Sequence, residues 1–141
     1  MPRFPSLEWC EALVKVLEQD PAVLPPLEEW GGRSLGVVVG RDGPLARDFC
    51  VYAKPHPTEP RLLALKVCED EDDLELEEPD YFFRAPFGVV RQVMQKQLDP
   101  LEVLRKGRVR VRGDLQFLIV FGQRHQRLGE DAVARVETTF P

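Results

Sequence analysis

Apolar residues recur at helical spacing near the start of the chain, in PSLEWCEALVKVLEQDP. Positions three and four residues apart lie on one side of a helix, so this run predicts an amphipathic helix. Ser6 is a candidate N-cap, and Asp20-Pro21 ends the helical pattern. Residues 21–33, PAVLPPLEEWGGR, are rich in proline and glycine. They predict a connector with room for one short helical turn.

Three runs with β-branched and alternating apolar residues follow: SLGVVVG (34–40), DFCVYAK (48–54) and RLLALKVCE (61–69). Each predicts a strand of half-buried or buried character. The segments between them, RDGP and PHPTEP, contain turn residues. Short turns between successive strands indicate an antiparallel meander.

The next segment begins with acids, and residues 69–73 predict a solvated acidic loop. LELEEPDYFF then alternates apolar and acidic residues and predicts a fourth strand, with Leu74 and Leu76 inward. A helix is predicted over 85–97, APFGVVRQVMQKQ, because its apolar residues share one side.

Asp99-Pro100 predicts a further helix start, with the aspartate as N-cap, and Gly107 sits at the position of a C-cap glycine. RVRVR (108–112) predicts the fifth strand. Asp114 then caps an apolar helix, LQFLIVFGQ. The tail, 123–141, carries no clear pattern.

These elements predict one domain over residues 1–141, with an N-terminal helix and connector at 1–33. The fold class is α+β: a five-stranded, largely antiparallel sheet covered on one face by about five helices. A chain of 141 residues suits a single core.

Composition narrows the function classes. The net charge is −5, but residues 69–80 alone carry nine acids and no base, so the rest of the chain is net positive by four. This balance argues against a strongly basic nucleic-acid surface. The three cysteines are far apart and lie in apolar stretches, as buried thiols of a reducing compartment do. No run is long enough to span a membrane, and no export signal is visible, so we expect a cytoplasmic protein.

The stretch LDPLEVLRKGRVRVRGDLQFLIVF (98–121) resembles the C-terminal half of the sterol carrier protein type 2 domain. The matching pieces are Asp-Pro, a short helix, Gly107, an alternating basic strand, Gly113-Asp114 and an apolar helix. The order of elements upstream is also similar. The resemblance implies an apolar tunnel between sheet and helices. It implies binding of a fatty acyl chain, acyl-CoA, a sterol-like molecule or a phospholipid, and no catalysis by the domain.

A helix that is apolar on every side is buried all round or lines a cavity. The last helix is of this kind, so it is either solid core or one wall of the tunnel implied by the resemblance. Its bulky residues would shorten or fill that tunnel. The side chains expected to line the tunnel are Phe87, Val90, Val93, Met94, Leu101, Leu104, Leu115, Leu118 and Phe121.

Arg108, Arg110 and Arg112 share one face of the fifth strand. The simplest interpretation is a charge ladder against the acids of LELEE on a neighbouring strand. Contact with an anionic ligand or a transient contact with a membrane stays open. A nucleic-acid strand would need aromatic residues between the arginines, and none is present.

Neither His56 nor His125 lies at metal-ligand spacing from a cysteine or carboxylate, and no phosphate-binding or hydrolase motif occurs. We therefore expect no metal and no cofactor. Two alternatives to a carrier remain. One is a packed scaffold for protein contacts. The other is an enzyme that uses a carboxylate beside the pocket, with Asp80 or Asp114 as candidates. The ligand and the oligomeric state stay open.

Overall fold

The computed structural model describes all 141 residues. The elements, in chain order, are α1 (Leu7–Gln19), α2 (Leu27–Trp30), β1 (Leu35–Gly40), β2 (Phe49–Pro55), β3 (Leu62–Cys68), α3 (Glu71–Leu76), β4 (Tyr81–Pro86), α4 (Phe87–Met94), α5 (Pro100–Arg105), β5 (Arg110–Arg112) and α6 (Leu115–Ala134). One turn of 3-10 helix, Pro21–Val23, precedes α2. The predicted α+β class with five strands is confirmed.

The strands form one sheet in the order β3-β2-β1-β4-β5. The meander β1-β2-β3 and the pair β4-β5 are antiparallel, as predicted. The two halves join through β1 and β4, which run parallel. The sheet is therefore mixed, with a single parallel pair at its centre.

The predicted helix starts are confirmed by their capping contacts. Ser6 Oγ accepts a hydrogen bond from the Trp9 amide at 3.1 Å. Asp99 Oδ1 accepts from the Leu101 amide at 3.2 Å, and Asp114 Oδ1 accepts from the Phe117 amide at 3.1 Å. Each cap satisfies an amide that has no partner inside its helix.

The prediction for the acidic segment is wrong. Residues 71–76 form α3 instead of a loop leading into a strand, and β4 begins only at Tyr81. Asp70 caps α3 by accepting from the Asp73 amide at 2.8 Å. Three acids occupy the first turn of α3, where the helix dipole favours negative charge.

α3 covers the face of the sheet opposite the other helices. Its Leu74 is fully buried and packs with Val38, Cys50 and Phe82, which point to this side. The predicted pairing of the basic strand with acids does form, but with a helix: Arg110 contacts Glu71 at 3.1 Å and Arg112 contacts Glu75 at 2.6 Å. These arginines are largely exposed, so each pair contributes about 1 kcal/mol or less.

The other five helices lie on the second face of the sheet. Part of that space is solid core, where Phe4, Trp9, Val39, Phe87 and Val136 are all buried. The tail, for which no clear pattern was visible, continues α6 to Ala134. Its last residues return to the N-terminus, where the Trp9 indole Nε1 donates to Thr138 Oγ1 at 2.9 Å.

Candidate functional site

An apolar cavity of about 490 Å³ lies between the sheet and helices α4, α5 and α6. It is open to solvent on one side. We call it the first cavity. Its volume falls in the range typical of small-molecule sites. The side chains around it are mainly aliphatic: Val37, Phe83, Ala85, Val89, Val90, Val93, Met94, Pro100, Leu101, Val103, Leu104, Val109, Val111, Leu118 and Val133.

The sheet supplies the floor of the first cavity through alternate residues. Val37 on β1 pairs with Phe83 on β4, and Phe83 pairs with Val111 on β5. Side chains of directly paired residues point to the same side of a sheet, so these three project together toward the helices. The same alternation sends Arg110 and Arg112 to the α3 side.

The helical wall on α6 is unusual because two of its positions are glycines. Leu118, Gly122, Gln126, Gly129 and Val133 follow one another three or four residues apart and all border the first cavity. A glycine inside a helix costs about 1 kcal/mol relative to alanine. A Cβ at Gly129 would meet no atom within 4 Å, and one at Gly122 would meet only a terminal methyl of Leu101 at 3.3 Å. The missing side chains leave part of the cavity empty.

Three polar residues border the first cavity: Lys96, Gln126 and Glu130. Lys96 and Gly129 are the two exposed residues at its border, so we call this part the mouth. The Gln126 amide nitrogen donates to Asp99 Oδ1 at 3.0 Å and to Glu130 Oε1 at 2.8 Å. The bond to Asp99 connects α6 to the start of α5, and the bond to Glu130 lies within α6. The mouth therefore offers both a cation and a carboxylate to a polar group, while the interior offers neither.

Six of the nine side chains expected from the sequence border this cavity: Val90, Val93, Met94, Leu101, Leu104 and Leu118. The other three lie elsewhere. Phe87 is 1 % exposed and belongs to the solid core beside Phe4 and Trp9. Leu115 is 43 % exposed, at the start of α6. Phe121 borders a different, smaller cavity.

That smaller cavity, which we call the second cavity, has a volume of about 290 Å³. It lies under the same face of the sheet, against α1, α2 and the β2–β3 end. Its apolar neighbours include Val14, Leu17, Trp30, Leu35 and Phe121.

Sequence reasoning missed the strand residues in the floor, and it missed Gly122 and Gly129. The alternating residues of FFRA (82–85) and VRV (109–111) indicated which strand residues could form the floor. The seven-residue spacing of Gly122 and Gly129 indicated that both lie on one side of α6.

The titratable groups near the sheet serve the fold. Asp80 Oδ2 accepts from the Ser34 amide at 2.8 Å and from its hydroxyl at 3.1 Å. Asp114 is the cap of α6 and does not border either cavity.

Burial, with a smaller contribution from Glu11, raises the pKa of the Cys10 thiol to about 11. Burial and, to a smaller extent, the negative charge of Asp48 raise the pKa of the Cys50 thiol to about 11 as well. Thiols of this kind are weak nucleophiles.

No group of three or more histidine, cysteine, aspartate or glutamate side chains stands close enough to hold a metal ion. No helix is long and apolar enough to cross a membrane.

An apolar cavity of this size between a sheet and its helices is a candidate site for an apolar ligand. A family model agrees: that of the SCP-2 sterol transfer family matches residues 13–123. The chain belongs to this family. The match ends before the outer part of α6, so Gln126, Gly129 and Glu130 at the mouth lie beyond it.

Solved structures show the same fold. A conserved hypothetical protein from Thermus thermophilus, described as a candidate sterol carrier protein, superposes with a TM-score of 0.73 at 20 % identity, over 95 % of this chain and 90 % of that one. A sterol carrier protein 2 superposes with a TM-score of 0.70 at 20 % identity, over 94 % of this chain and 98 % of that one. A UbiJ-SCP2 ubiquinone synthesis protein superposes with a TM-score of 0.54 at 20 % identity, over 94 % of this chain and 95 % of that one. No curated protein matches this chain in sequence.

Proposed function

We propose that the protein binds a long apolar chain, such as a fatty acyl chain, in the first cavity and carries it without chemical change. The observation that supports this most is the cavity itself, about 490 Å³ with aliphatic walls and polar groups only at the mouth. A chain would lie with its tail inside and its polar end at Lys96, Gln126 and Glu130. A sterol-like molecule fits the same description.

The energetics suit a carrier. A methylene needs roughly the space of one water molecule in the liquid, about 30 Å³. The first cavity then accepts about 16 carbons. Burying each methylene gives about 0.8 kcal/mol, or about 12 kcal/mol gross for such a chain. Association costs about 4–15 kcal/mol, so the net affinity is modest. A ligand bound with modest affinity can be taken up and released again.

The two alternatives have less support. A packed scaffold would fill the space between sheet and helices, whereas about 490 Å³ is left open. An enzyme would need a reactive group facing that space. Asp80 is bonded to Ser34 and Asp114 caps α6, so neither carboxylate is free to act as an acid or base on a bound chain.

A bulky residue inside the cavity tests the proposal. Leu118→Trp adds an indole where Leu118 borders the first cavity, so displacement of a fluorescent fatty acid from delipidated protein should show greatly weakened uptake. Val120→Trp is the matched control, because Val120 lies on the same helix, is 42 % exposed and borders neither cavity.

The wild type should take up one chain, seen by native mass spectrometry, and exchange it with lipid vesicles. Equal loss of uptake in both variants, or no uptake of any acyl chain or sterol by the wild type, would contradict the proposal.

A further inference from the structure

The two cavities are neighbours. β1 contributes Val37 to the first and Leu35 to the second, and these residues are two apart on one face of the strand. Their spacing along the strand is about 7 Å. On α6, Leu118 and Gly122 border the first cavity, whereas Phe121, between them in sequence, borders the second. No residue borders both cavities, so a layer of side chains from both borders separates the two spaces.

That layer is aromatic. The Phe121 ring packs edge-on against Trp30 with 5.0 Å between centroids, and Trp30 lies 5.5 Å from Tyr81. Tyr81 stacks on Phe83 at 6.1 Å. Phe83 borders the first cavity, while Trp30 and Phe121 border the second. A continuous row of four rings therefore runs from one cavity to the other.

Two of these four rings are tied to the backbone by hydrogen bonds. The Trp30 indole Nε1 donates to the Arg33 carbonyl at 2.8 Å, and the Tyr81 hydroxyl donates to the Asp114 carbonyl at 2.6 Å. Phe121 has no polar group and is held only by packing against Trp30, Phe117 and His125. Beside it, Gly122 has no side chain to close the gap. Phe121 is thus the part of the wall that one substitution can remove.

We propose that Phe121 separates the second cavity from the first and thereby sets the length of the chain that the protein accepts. This inference rests on the proposed function. The second cavity is then a continuation closed off by one ring. At about 30 Å³ per methylene, its 290 Å³ correspond to about 10 further carbons.

Phe121→Ala tests the inference. Delipidated protein is offered equimolar hexadecanoic and docosanoic acid, and the ratio of the two bound forms is read by native mass spectrometry. The wild type should favour the shorter acid, because docosanoic acid exceeds the first cavity by about six carbons. Phe121→Ala should shift the bound ratio toward docosanoic acid by at least about 10-fold, since each extra methylene is then buried.

Ile119→Ala is the matched control. Ile119 lies on α6 two residues from Phe121, is half-buried and borders neither cavity. It also shortens an apolar side chain of the same helix to alanine, so it should leave the bound ratio within about 3-fold of the wild type. Phe121→Leu, a smaller change, should shift the ratio in the same direction and serves if the alanine variant does not fold.

A second substitution checks where the longer chain goes. Val14→Trp places an indole in the second cavity, so it should leave the wild-type ratio unchanged and return the Phe121→Ala variant to it. Normal uptake of hexadecanoic acid with no shift in either Phe121 variant overturns the length assignment alone. An equal shift in Ile119→Ala does the same. No uptake of either acid by the wild type overturns the proposed function and the length assignment with it.

Discussion

Gly129→Leu should make the protein more stable and a poorer carrier at the same time. Gly129 lies inside α6 and borders the first cavity at its mouth. A Cβ built there meets no atom within 4 Å, so a side chain enters open space. Most substitutions that impair binding also weaken the fold, so opposite effects on the two properties would be informative.

Both magnitudes follow from the structure. Replacing a glycine inside a helix with a good helix former gains about 1 kcal/mol of stability. The leucine side chain adds four carbons, which take about 120 Å³ at the packing of a liquid. A chain that filled the cavity then loses up to four buried methylenes, about 3 kcal/mol. This corresponds to a Kd raised by up to about 200-fold.

The assay combines urea unfolding, for the free energy, with fluorescent fatty-acid displacement, for the Kd. Gln123→Leu is the matched control, because Gln123 is exposed on α6 and borders neither cavity. It should change neither quantity by much. Gly129→Ala should show most of the gain in stability and little of the loss in affinity.

Two results would refute the reasoning. Unchanged affinity in Gly129→Leu would mean that the chain does not occupy the space beside Gly129. A fall in stability would mean that the space is not open in solution, since helix propensity alone predicts a rise.

Two further predictions concern the fold. Gly113→Ala should destabilise the protein by about 3 kcal/mol in urea unfolding, because the backbone φ is +132° and a Cβ would lie 2.5 Å from the Tyr81 ring. Gly43→Ala, at φ +55° with open space around it, should cost only about 1–2 kcal/mol, and equal costs would contradict the close contact. The buried thiols predict a pH dependence. The folded pKa of Cys10 and of Cys50 is raised to about 11, so the stability they contribute is present below pH 9 and is lost as the pH rises from 9 to 11. Urea unfolding at pH 8 and pH 10 should show the fall, and Cys50→Ala should reduce it; no fall in the wild type would contradict the burial of these thiols.

The sequence predicted most elements because their patterns are local. The helix caps at Ser6, Asp99 and Asp114 and the β1–β3 meander depend on neighbouring residues alone. The parallel pairing of β1 with β4 joins strands about forty residues apart, and no local pattern specifies it.

The alternation of LELEE predicts a strand where the structure has α3. Only one of the two leucines is buried: Leu74 is fully buried, whereas Leu76 is 80 % exposed. Leu74 packs onto Gly36, where a Cβ would lie 3.2 Å from the leucine side chain. α3 fits there because Gly36, on the distant strand β1, has no side chain. The acidic segment alone gives no sign of this.

The outer part of α6 was missed for a related reason. An apolar stripe marks a helix that packs against a core, but α6 borders an empty space beyond Leu118. Its inward positions are Gly122, Gln126 and Gly129, which give no apolar signal. A cavity is built partly from absent side chains, so the residues that create it are the least visible in the pattern.

Part of the opening of the first cavity is encoded by a stretch of chain that follows the family match. Val90, Val93, Leu101 and Leu118 fall within the family match, whereas Gln126, Gly129 and Glu130 follow it. On the proposed function, substitutions in the last turns of α6 would alter which polar head group is accepted and how fast the ligand is released, while most of the apolar interior stays the same. Selectivity for the two ends of a ligand would then vary separately.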